Sequence, residues 1–371
     1  MKQDLKIIIS GGGTGGHIFP AIAIANEIKK HNSEADILFI GAEGKMEMEK
    51  VPRAGYKIEG VPVRGFQRSL SLKNLTFLPR LLKSVCRSKK ILKRFSPDVV
   101  VGTGGFVSGP VLYAATKKGI PSLIQEQNSY PGVTNKLLAK KVNKICVAYE
   151  EAKAFFPKEK VVITGNPISK AILDINEKIE EAFDYFGFSK NKPVLLVVGG
   201  SLGALAINEA IHHKLDMLID NNVQVLWQTG KSYINKVNNK EELKSKGILV
   251  TDFIYRMDLA YAVATVIISR AGAMSISELE VVGKPAILVP SPYVAENHQY
   301  KNAMALVKKD AALLVGNDKA KENLVPQIIS LLEDKEKQVL LAKNIKSLAK
   351  PEATEKIVKE IFNLINNYEK Q

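Results

Sequence analysis

The sequence predicts an α/β protein made of two doubly wound halves, each built around a parallel sheet. Short apolar segments alternate with helix-length segments through most of the chain, which is typical of parallel strands joined by helical crossovers. The alternation starts twice, each time with an apolar run followed by a glycine-rich turn, once at Gly11 and again at Gly199. A length of 371 residues also fits two domains.

The first half predicts six strands and four helices. The strands are expected at residues 5–10, 37–41, 99–102, 122–125, 145–148 and 161–164, and the helices at 19–30, 78–95, 109–118 and 135–140. After Gly165-Asn166-Pro167 the second half predicts strands at 194–198, 223–228, 248–250, 266–269, 286–289 and 312–315, with a helix at 204–218. No strand follows the last helices, which could therefore return to the first domain. We expect domains at 1–164 plus about 340–371, and at 165–339.

Composition excludes several classes of protein. The chain is 46% hydrophobic and 25% charged, as ordinary globular proteins are. Two cysteines, Cys86 and Cys146, are too few for a disulfide framework or a four-cysteine zinc site. No apolar run approaches the roughly 18 residues that cross a bilayer, and no signal-like segment opens the chain. We therefore expect a soluble, cytoplasmic protein.

The positive charge is concentrated in the first half. Of the net +15, residues 1–164 hold 27 basic and 13 acidic residues, and residues 165–371 hold 26 and 25. Residues 64–94 carry ten basic residues and no acid. Apolar residues at helical spacing accompany them, namely Leu78, Leu81, Leu82, Val85 and Leu92. Such a segment indicates either contact with an anionic membrane surface or a solvated helix whose apolar stripe is core. Nucleic acid is not expected, because no binding motif is present.

The first glycine turn, GGGTGGH, lies between a predicted strand and a predicted helix and ends at His17. Glycines let a backbone approach a ligand, and a helix N-terminus offers amides to an anion. The spacing formally matches a dinucleotide fingerprint, but Glu43 comes too late after strand two for the usual ribose acid. The turn therefore indicates anion binding more than a dehydrogenase. His17 follows five glycines, where burial as a packing residue is hard to arrange, so we favour a functional role.

Further polar and glycine-rich segments follow other strands. Residues 102–109 and 199–204 repeat the strand, turn and helix pattern, and Glu126-Gln127-Asn128 follows a third strand. Since parallel sheets bind ligands at the carboxyl ends of their strands, these segments predict one interdomain cleft. Glu126 is either a general base or a loop acid satisfied by its neighbours.

Two segments of the second half fit nucleotide binding. In residues 269–278, Ser275 and Glu278 have the spacing of a capping box, but a carboxylate at Glu278 could equally accept both hydroxyls of a ribose. Residues 296–299 enter a helix that could hold a phosphate. No Asp-x-Asp pair and no histidine or cysteine cluster with metal spacing occurs, so we expect no metal site and no tightly bound cofactor. Stimulation by a divalent cation stays open.

Taken in order, these segments resemble the MurG family of bacterial cell-wall glycosyltransferases, glycosyltransferase family 28. The resemblance rests on GGGTGGH, GTGGFVSGP, EQN, GNP, GGSLGA, FIYRM, SRAGAMSISE and ENHQYKNA, which span nearly the whole chain. It implies a GT-B fold, with two Rossmann-like domains facing a deep cleft. It also implies inverting transfer of N-acetylglucosamine from UDP-N-acetylglucosamine to the 4-hydroxyl of the muramoyl sugar of lipid I, which forms lipid II for peptidoglycan synthesis.

The resemblance implies a set of site residues as well. The donor would be contacted by Thr14, Gly15, Gly16, Asn128, Ser201, Ile254, Ala273, Met274, Ser275, Ile276, Ser277, Glu278 and Gln299. Ser169 stands where many members carry arginine, so it is only a possible contact. Gly104, Gly105, Phe106 and Ser108 would face the acceptor. An inverting transfer needs a base for the acceptor hydroxyl, and His17 and Glu126 are the two candidates.

The expected partners are UDP-N-acetylglucosamine, lipid I and an anionic membrane surface, with other cell-wall synthesis proteins as further candidates. The resemblance implies a peripheral position on the cytoplasmic face of the bacterial plasma membrane. A UDP-N-acetylglucosamine 2-epimerase and another glycolipid-forming GT-B transferase are the nearest alternatives, since both would use similar nucleotide contacts. A nicotinamide dehydrogenase does not explain the second half's glycine turn or Glu278.

Overall fold

The structure is a computed structural model that describes residues 4–63, 77–294 and 297–369. It divides the chain into two compact units. One is formed by the chain up to Ser169 together with the chain from Glu352 onwards, and the other by Lys170–Pro351. The predicted boundaries, 164 and about 340, differ from these. The second difference has a clear cause, since the helix at Lys335–Lys346 buries Leu341 in the core of the second unit.

The first unit contains a seven-stranded parallel sheet in the order β3-β2-β1-β4-β5-β6-β7. Its strands are β1 (Lys6–Gly11), β2 (Asp36–Ala42), β3 (Lys57–Val61), β4 (Val99–Gly104), β5 (Ser122–Glu126), β6 (Lys144–Val147) and β7 (Val161–Ile163). The central strands are almost wholly buried, because helices cover both faces. The sequence predicted six of these strands; β3 was missed because its charged residues interrupt the apolar pattern.

The helices of the first unit lie in two layers. They are α1 (Gly15–His31), α2 (Glu47–Arg53), α3 (Phe77–Phe95), α4 (Ser108–Lys117), α5 (Val133–Leu138) and α16 (Ala353–Glu369). One apolar core joins α1, α2 and α16 to one face of the sheet, and a second joins α3, α4 and α5 to the other. The carboxyl ends of β1, β4 and β5 therefore open onto the starts of α1, α4 and the loop before α5.

The basic helix α3 buries only Leu92 of the apolar stripe, so the interpretation of the whole stripe as core is wrong. Its buried residues are Ser84, Ser88, Ile91 and Leu92, whereas Leu78 and Leu82 are 60% and 58% exposed. The two serine hydroxyls donate to carbonyls one turn earlier, at 2.8 Å each, so they are satisfied inside the layer. The small serines allow close packing, and leucines at the start of the helix remain in solvent. The part of the basic segment at residues 64–76 lies outside the described residues.

The second unit repeats the architecture with a six-stranded parallel sheet, β10-β9-β8-β11-β12-β13. Its strands are β8 (Val194–Val198), β9 (Gln224–Gln228), β10 (Ile248–Thr251), β11 (Val266–Ser269), β12 (Ala286–Leu288) and β13 (Leu313–Leu314). Its helices are α6 (Lys170–Leu173), α7 (Ile179–Phe186), α8 (Leu205–His213), α9 (Leu215–Asp220), α10 (Lys240–Ser245), α11 (Met257–Val263), α12 (Ala273–Val282), α13 (His298–Val307), α14 (Ala320–Glu333) and α15 (Lys335–Lys346). The single helix predicted at 204–218 is interrupted at Lys214, between α8 and α9.

Candidate active site

The first glycine turn connects β1 to α1, and α1 begins at Gly15, four residues before the predicted start. Thr14 is the N-cap residue and is exposed, and its carbonyl accepts from the N–H groups of His17 and Ile18. The first-turn amides of Gly15 and Gly16 lack intrahelical acceptors, as in any α-helix. These three predicted donor residues thus form a helix N-terminus suited to an anion.

Not every glycine of this turn is there to let a ligand come close to the backbone. A Cβ on Gly11 would lie 1.9 Å from the Thr103 hydroxyl oxygen, and one on Gly12 would lie 2.1 Å from a Glu47 carboxylate oxygen. Gly13 has a φ of +85° and no neighbour within 4 Å of a built Cβ. Packing against protein atoms therefore accounts for Gly11 and Gly12, whereas Gly13 and Thr14 are exposed and open to a ligand.

His17 lies in the first turn of α1 and is half-buried. Its Nδ1 is 3.1 Å from the Gly12 carbonyl oxygen and 3.2 Å from the Thr14 hydroxyl. Because a carbonyl only accepts, Nδ1 carries the proton and Nε2 carries the lone pair. Burial lowers the pKa of His17, against smaller opposite effects of the Glu126 and Glu47 carboxylates and the Gly12 carbonyl. At neutral pH the ring is thus uncharged, which is the form that can accept a proton.

Glu126 ends β5 and is surrounded by hydrogen-bond donors. One carboxylate oxygen accepts from the N–H and the side-chain amide of Asn128, at 3.0 and 3.1 Å. The other accepts from the N–H of Gly132 and from the side chain of Asn135, at 3.1 and 2.8 Å. With only 2% of its surface exposed, Glu126 organises the loop after β5. The geometry thus favours the loop-acid interpretation, and His17 over Glu126 as the base.

The second glycine turn, after β4, packs against the first. Gly104 and Gly105 have φ values of +100° and +80°, and a Cβ on Gly104 would lie 3.1 Å from His17 Nε2. Phe106 is 57% exposed and free to contact a ligand. Ser108 was predicted to face the acceptor, but it is fully buried, and its hydroxyl donates to the Gly105 carbonyl at 3.0 Å. Its role is therefore to shape the turn.

The third glycine turn opens the helical layer after β8 in the second unit. Gly200 has a φ of +87° and open space beside it, and Ser201 next to it is half-buried. Gln228, the last residue of β9, joins this turn to the Ile254 loop. Its Nε2 donates to the Gly200 carbonyl at 2.8 Å, and its Oε1 accepts from the Ile254 N–H at 3.3 Å. Sequence reasoning missed Gln228, although a polar residue ending an apolar strand was a usable signal.

The helix α12 begins at Ala273, with Gly272 as its N-cap residue and no side-chain cap. The capping-box interpretation of Ser275 and Glu278 is therefore wrong, because the helix starts three residues earlier than that pattern requires. Of the residues predicted to line the donor pocket, Met274 and Ser275 are half-buried. Ala273, Ile276 and Ser277 are buried. The N–H of Ile276 donates to the Gly272 carbonyl at 2.9 Å, so in α12 the N–H groups without an intrahelical acceptor are those that precede it.

Glu278, free of any capping role, is half-buried one turn further along α12. The hydroxyl of Tyr261, on α11, donates to its Oε2 at 2.8 Å. Burial raises the pKa of Glu278 to about 7, while the hydrogen bond from Tyr261 acts in the opposite direction. Tyr261 was not found from the sequence, because a tyrosine within a helix gives no signal of its partner.

The remaining predicted contacts are less direct. Gln299 is half-buried, and its Oε1 accepts from the N–H of Ser291 at 2.8 Å, so this side chain holds the loop after β12. Glu296, from the same predicted motif, lies outside the described residues. Ser169 is half-buried and is the last residue of the first unit before the chain continues into the second unit at Lys170.

Across residues 4–63, 77–294 and 297–369, no group of three or more His, Cys, Asp or Glu side chains is placed to hold a metal ion. Within the same ranges, no helix combines the length and the apolar character that crossing a membrane requires.

Each unit thus presents a glycine turn and a helix N-terminus at the carboxyl edge of a doubly wound sheet, which defines a nucleotide-binding class of α/β protein. Models of known families match both halves. The glycosyltransferase family 28 N-terminal domain matches residues 7–147, and its C-terminal domain matches residues 194–361. The chain therefore belongs to glycosyltransferase family 28, and the predicted resemblance and GT-B fold class are confirmed.

Similar proteins agree with this assignment over their full length. The UDP-N-acetylglucosamine--N-acetylmuramyl-(pentapeptide) pyrophosphoryl-undecaprenol N-acetylglucosamine transferase of Christiangramia forsetii is 54% identical over 99% of this chain and 100% of its own. The protein of the same name from Parabacteroides distasonis is 52% identical over 98% of this chain and 99% of its own.

Two solved structures are similar as well. The crystal structure of Acinetobacter baumannii MurG has a TM-score of 0.70 at 27% identity, covering 97% of this chain and 99% of that one. The UDP-GlcNAc 2-epimerase from Neisseria meningitidis bound to UDP-GlcNAc has a TM-score of 0.67. Its 16% identity, over 97% of this chain and all of that one, shows the shared fold alone.

Proposed function

We propose that this protein transfers N-acetylglucosamine from UDP-N-acetylglucosamine to the 4-hydroxyl of the muramoyl sugar of lipid I, forming lipid II for peptidoglycan synthesis. The observation that carries the proposal is the 54% identity, over essentially the whole of both chains, to a relative named for that transfer. The epimerase alternative has only the likeness of fold behind it.

In this proposal His17 is the general base. Its Nδ1 is bound to the Gly12 carbonyl, so Nε2 is the nitrogen that accepts the proton of the acceptor hydroxyl as the new glycosidic bond forms. Burial lowers the pKa of His17, which keeps the ring neutral before the reaction. Glu126 cannot take this role without giving up donors that hold the loop after β5.

The second unit binds the donor nucleotide. The N-terminal turn of α12 and the open turn at Gly200 and Ser201 offer backbone N–H groups to the diphosphate, and they stabilise the charge that develops on departing UDP. Glu278 accepts hydrogen bonds from the ribose hydroxyls, with Tyr261 holding one of its oxygens. These assignments require no metal-bound group.

We also propose that the first unit docks on an anionic membrane surface through the layer formed by α3 and α5. Leu78 and Leu82 at the start of α3 are exposed, as are Val133 and Leu137 of α5, which are 71% and 73% exposed. Both helices start near the carboxyl edge of the sheet, the edge that holds His17. A lipid-linked acceptor would thus reach the base from the side on which the protein docks.

Basic residues in the same layer support docking. Arg80, Lys83 and Lys140 add positive charge there, each contributing about 1 kcal/mol near an anionic leaflet. Not all of the charge is available, because Arg87 pairs with Glu43 and Arg94 with Glu59. The proposal therefore places the protein as a peripheral enzyme on the cytoplasmic face of the plasma membrane, with binding that weakens at high salt.

The test of the transfer is incubation with labelled UDP-N-acetylglucosamine and a lipid I analogue, with UDP release followed in parallel. We expect sugar transfer coupled to UDP release, and a roughly 100-fold lower kcat for His17→Ala with donor binding retained. Conversion of UDP-N-acetylglucosamine to its 2-epimer without acceptor would contradict the proposal. A normal kcat for His17→Ala would reject only the assignment of the base.

Docking is tested by co-sedimentation with vesicles containing anionic phospholipid, at low and high salt. The double variant Leu78→Glu/Leu82→Glu should bind at least 10-fold more weakly than the wild type. Val339→Glu is the matched control, since Val339 is 68% exposed on α15 in the second unit and should leave binding unchanged. Equal binding of all three proteins would refute the proposed docking surface.

A further inference from the structure

Glu47 is a fully buried carboxylate that the sequence did not single out. It stands at the start of α2, beyond the carboxyl end of β2, and none of its surface is exposed. A buried carboxyl group is unfavourable unless hydrogen bonds satisfy it, so its position needs an explanation.

Both oxygens of Glu47 accept from backbone N–H groups. Oε1 accepts from Ala42 N–H and Oε2 from Gly13 N–H, each at 2.9 Å. The Gly13 N–H belongs to the same peptide group as the Gly12 carbonyl. That carbonyl is the oxygen 3.1 Å from His17 Nδ1. One peptide group therefore joins the carboxylate to the imidazole.

We propose that Glu47 is a positioning residue for His17, acting through the Gly12–Gly13 peptide as a carboxylate–peptide–imidazole relay. A carboxylate that accepts from the N–H of a peptide polarises it and makes its carbonyl oxygen a stronger acceptor. The strengthened carbonyl holds the proton on Nδ1, orients the ring and makes Nε2 more basic. An aspartate bound directly to histidine does the same in hydrolases; here a peptide group stands between the two.

The packing around the peptide leaves it little freedom to turn. A Cβ on Gly12 would lie 2.1 Å from Glu47 Oε1, so only glycine lets the carboxylate approach this closely. On the other side, a Cβ on Gly105 would lie 2.3 Å from the Gly12 carbonyl oxygen. Glycines of both turns thus enclose the relay. Their small size is needed here for close packing around the Gly12–Gly13 peptide and not for contact with a ligand.

The charged groups that act on His17 in the described structure are Glu47, from α2, and Glu126, from the end of β5. Both raise the pKa of His17, against the larger effect of burial. Glu126 is held by donors from the loop after β5 and from α5, and of the two carboxylates only Glu47 is connected to the ring through a shared peptide group. A neutral substitution of Glu47 should therefore lower the basicity of His17.

The inference rests on the proposed role of His17 as base, but its test does not. The measurement is NMR of protein labelled with ¹⁵N-histidine, with the His17 signals assigned by their loss in His17→Gln. In the wild type we expect the neutral ring to carry its proton on Nδ1. A proton on Nε2 would overturn the proposal, whatever the behaviour of any variant.

The variant is Glu47→Gln, and Glu49→Gln is the matched control. Glu49 is on the same helix, partly exposed, and paired with Arg53 at 3.1 Å. We expect the pKa of His17 to fall by roughly 0.5–1 unit in Glu47→Gln and to stay unchanged in Glu49→Gln. If Glu47→Gln folds and the pKa of His17 does not move, the relay is refuted.

Kinetic measurements distinguish the relay from a purely structural role of Glu47 in holding the glycine turn. With the relay, kcat of Glu47→Gln falls about 10-fold, and the acid limb of the kcat/KM profile moves to lower pH together with the pKa of His17. The KM for UDP-N-acetylglucosamine stays unchanged. A loss of kcat with an unmoved acid limb would refute the relay. The NMR result does not depend on which sugar the protein transfers. Failure of the proposed function can therefore be distinguished from failure of the relay.

Discussion

Replacing Glu278 by glutamine should stabilise the second unit at alkaline pH while it weakens nucleotide binding. The carboxyl group is half-buried, and its contact among the described side chains is the Tyr261 hydroxyl at 2.8 Å. Burial raises the pKa of Glu278 from an ordinary 4.5 to about 7. The native protein therefore holds this proton more tightly than the unfolded chain does.

The sign and size of the effect follow from that difference in pKa. As pH rises from 4.5 to about 7, the unfolded chain releases the proton first, so stability falls and is lowest above pH 7. At about 1.4 kcal/mol per pH unit the loss is at most about 3.5 kcal/mol. Partial exposure of the side chain reduces this to about 1–3 kcal/mol. Glutamine cannot ionise, so the stability of Glu278→Gln does not fall in this way as pH rises. Its free energy of unfolding should exceed that of the wild type by about 1–3 kcal/mol at pH 8 and by less than about 1 kcal/mol at pH 5.

The assay is urea unfolding followed by tryptophan fluorescence. Trp227 is the single tryptophan of the chain and is fully buried in the second unit, so its signal reports on that unit. Glu280 also has a pKa raised by burial to about 7, and comparing proteins at one pH cancels its contribution. The exposed Glu241, changed to glutamine, is the control and should match the wild type. A Glu278→Gln protein no more stable than the wild type at pH 8 would refute the reasoning.

Two further predictions concern single positions. Gly105→Ala should destabilise the first unit by more than about 3 kcal/mol, because its Cβ would lie 2.3 Å from the Gly12 carbonyl oxygen. Gly119→Ala, with a similar positive φ and open space, should lose only about 1 kcal/mol, and equal losses in thermal unfolding would contradict this explanation. Tyr261→Phe should move the midpoint of pH-dependent UDP binding to higher pH in calorimetry, because the tyrosine hydrogen bond lowers the pKa of Glu278; an unmoved midpoint would show that this bond is unimportant.

The two sheets could be predicted from the sequence because buried parallel strands leave a local signal. Runs such as Val194–Val198 are continuous and apolar, and the structure ends this strand where the sequence predicted. The edge strand β3 gave no such signal, since Lys57 and Glu59 interrupt it. The sequence also left the buried face of α3 open, because its apolar periodicity fitted either a core stripe or membrane contact. In the folded layer Ser84 and Ser88 are buried, whereas Leu78 and Leu82 are exposed.

The site was predicted in part from the sequence. What could not be predicted are its tertiary contacts, between residues that are distant along the chain. The glycine turns, His17 and Glu278 stand out in the sequence because their residue types are unusual for their positions. What a glycine is packed against cannot be seen in the same way. Gly12 makes room for Glu47, which is 35 positions away along the chain, and nothing in the intervening residues indicates that contact.

Three buried or half-buried carboxylates show why residue type alone does not assign a role. Glu126 is held by four donors from the loop after β5 and from α5, Glu47 by two backbone N–H groups, and Glu278 by one tyrosine hydroxyl. The more donors a carboxylate accepts from, the less of its hydrogen-bonding capacity is left for a substrate. By this measure Glu126 is structural, Glu47 acts through a peptide group, and Glu278 keeps an oxygen for a ligand. The hydrogen-bonding capacity that each carboxylate keeps is therefore set by donors that only the folded chain brings together.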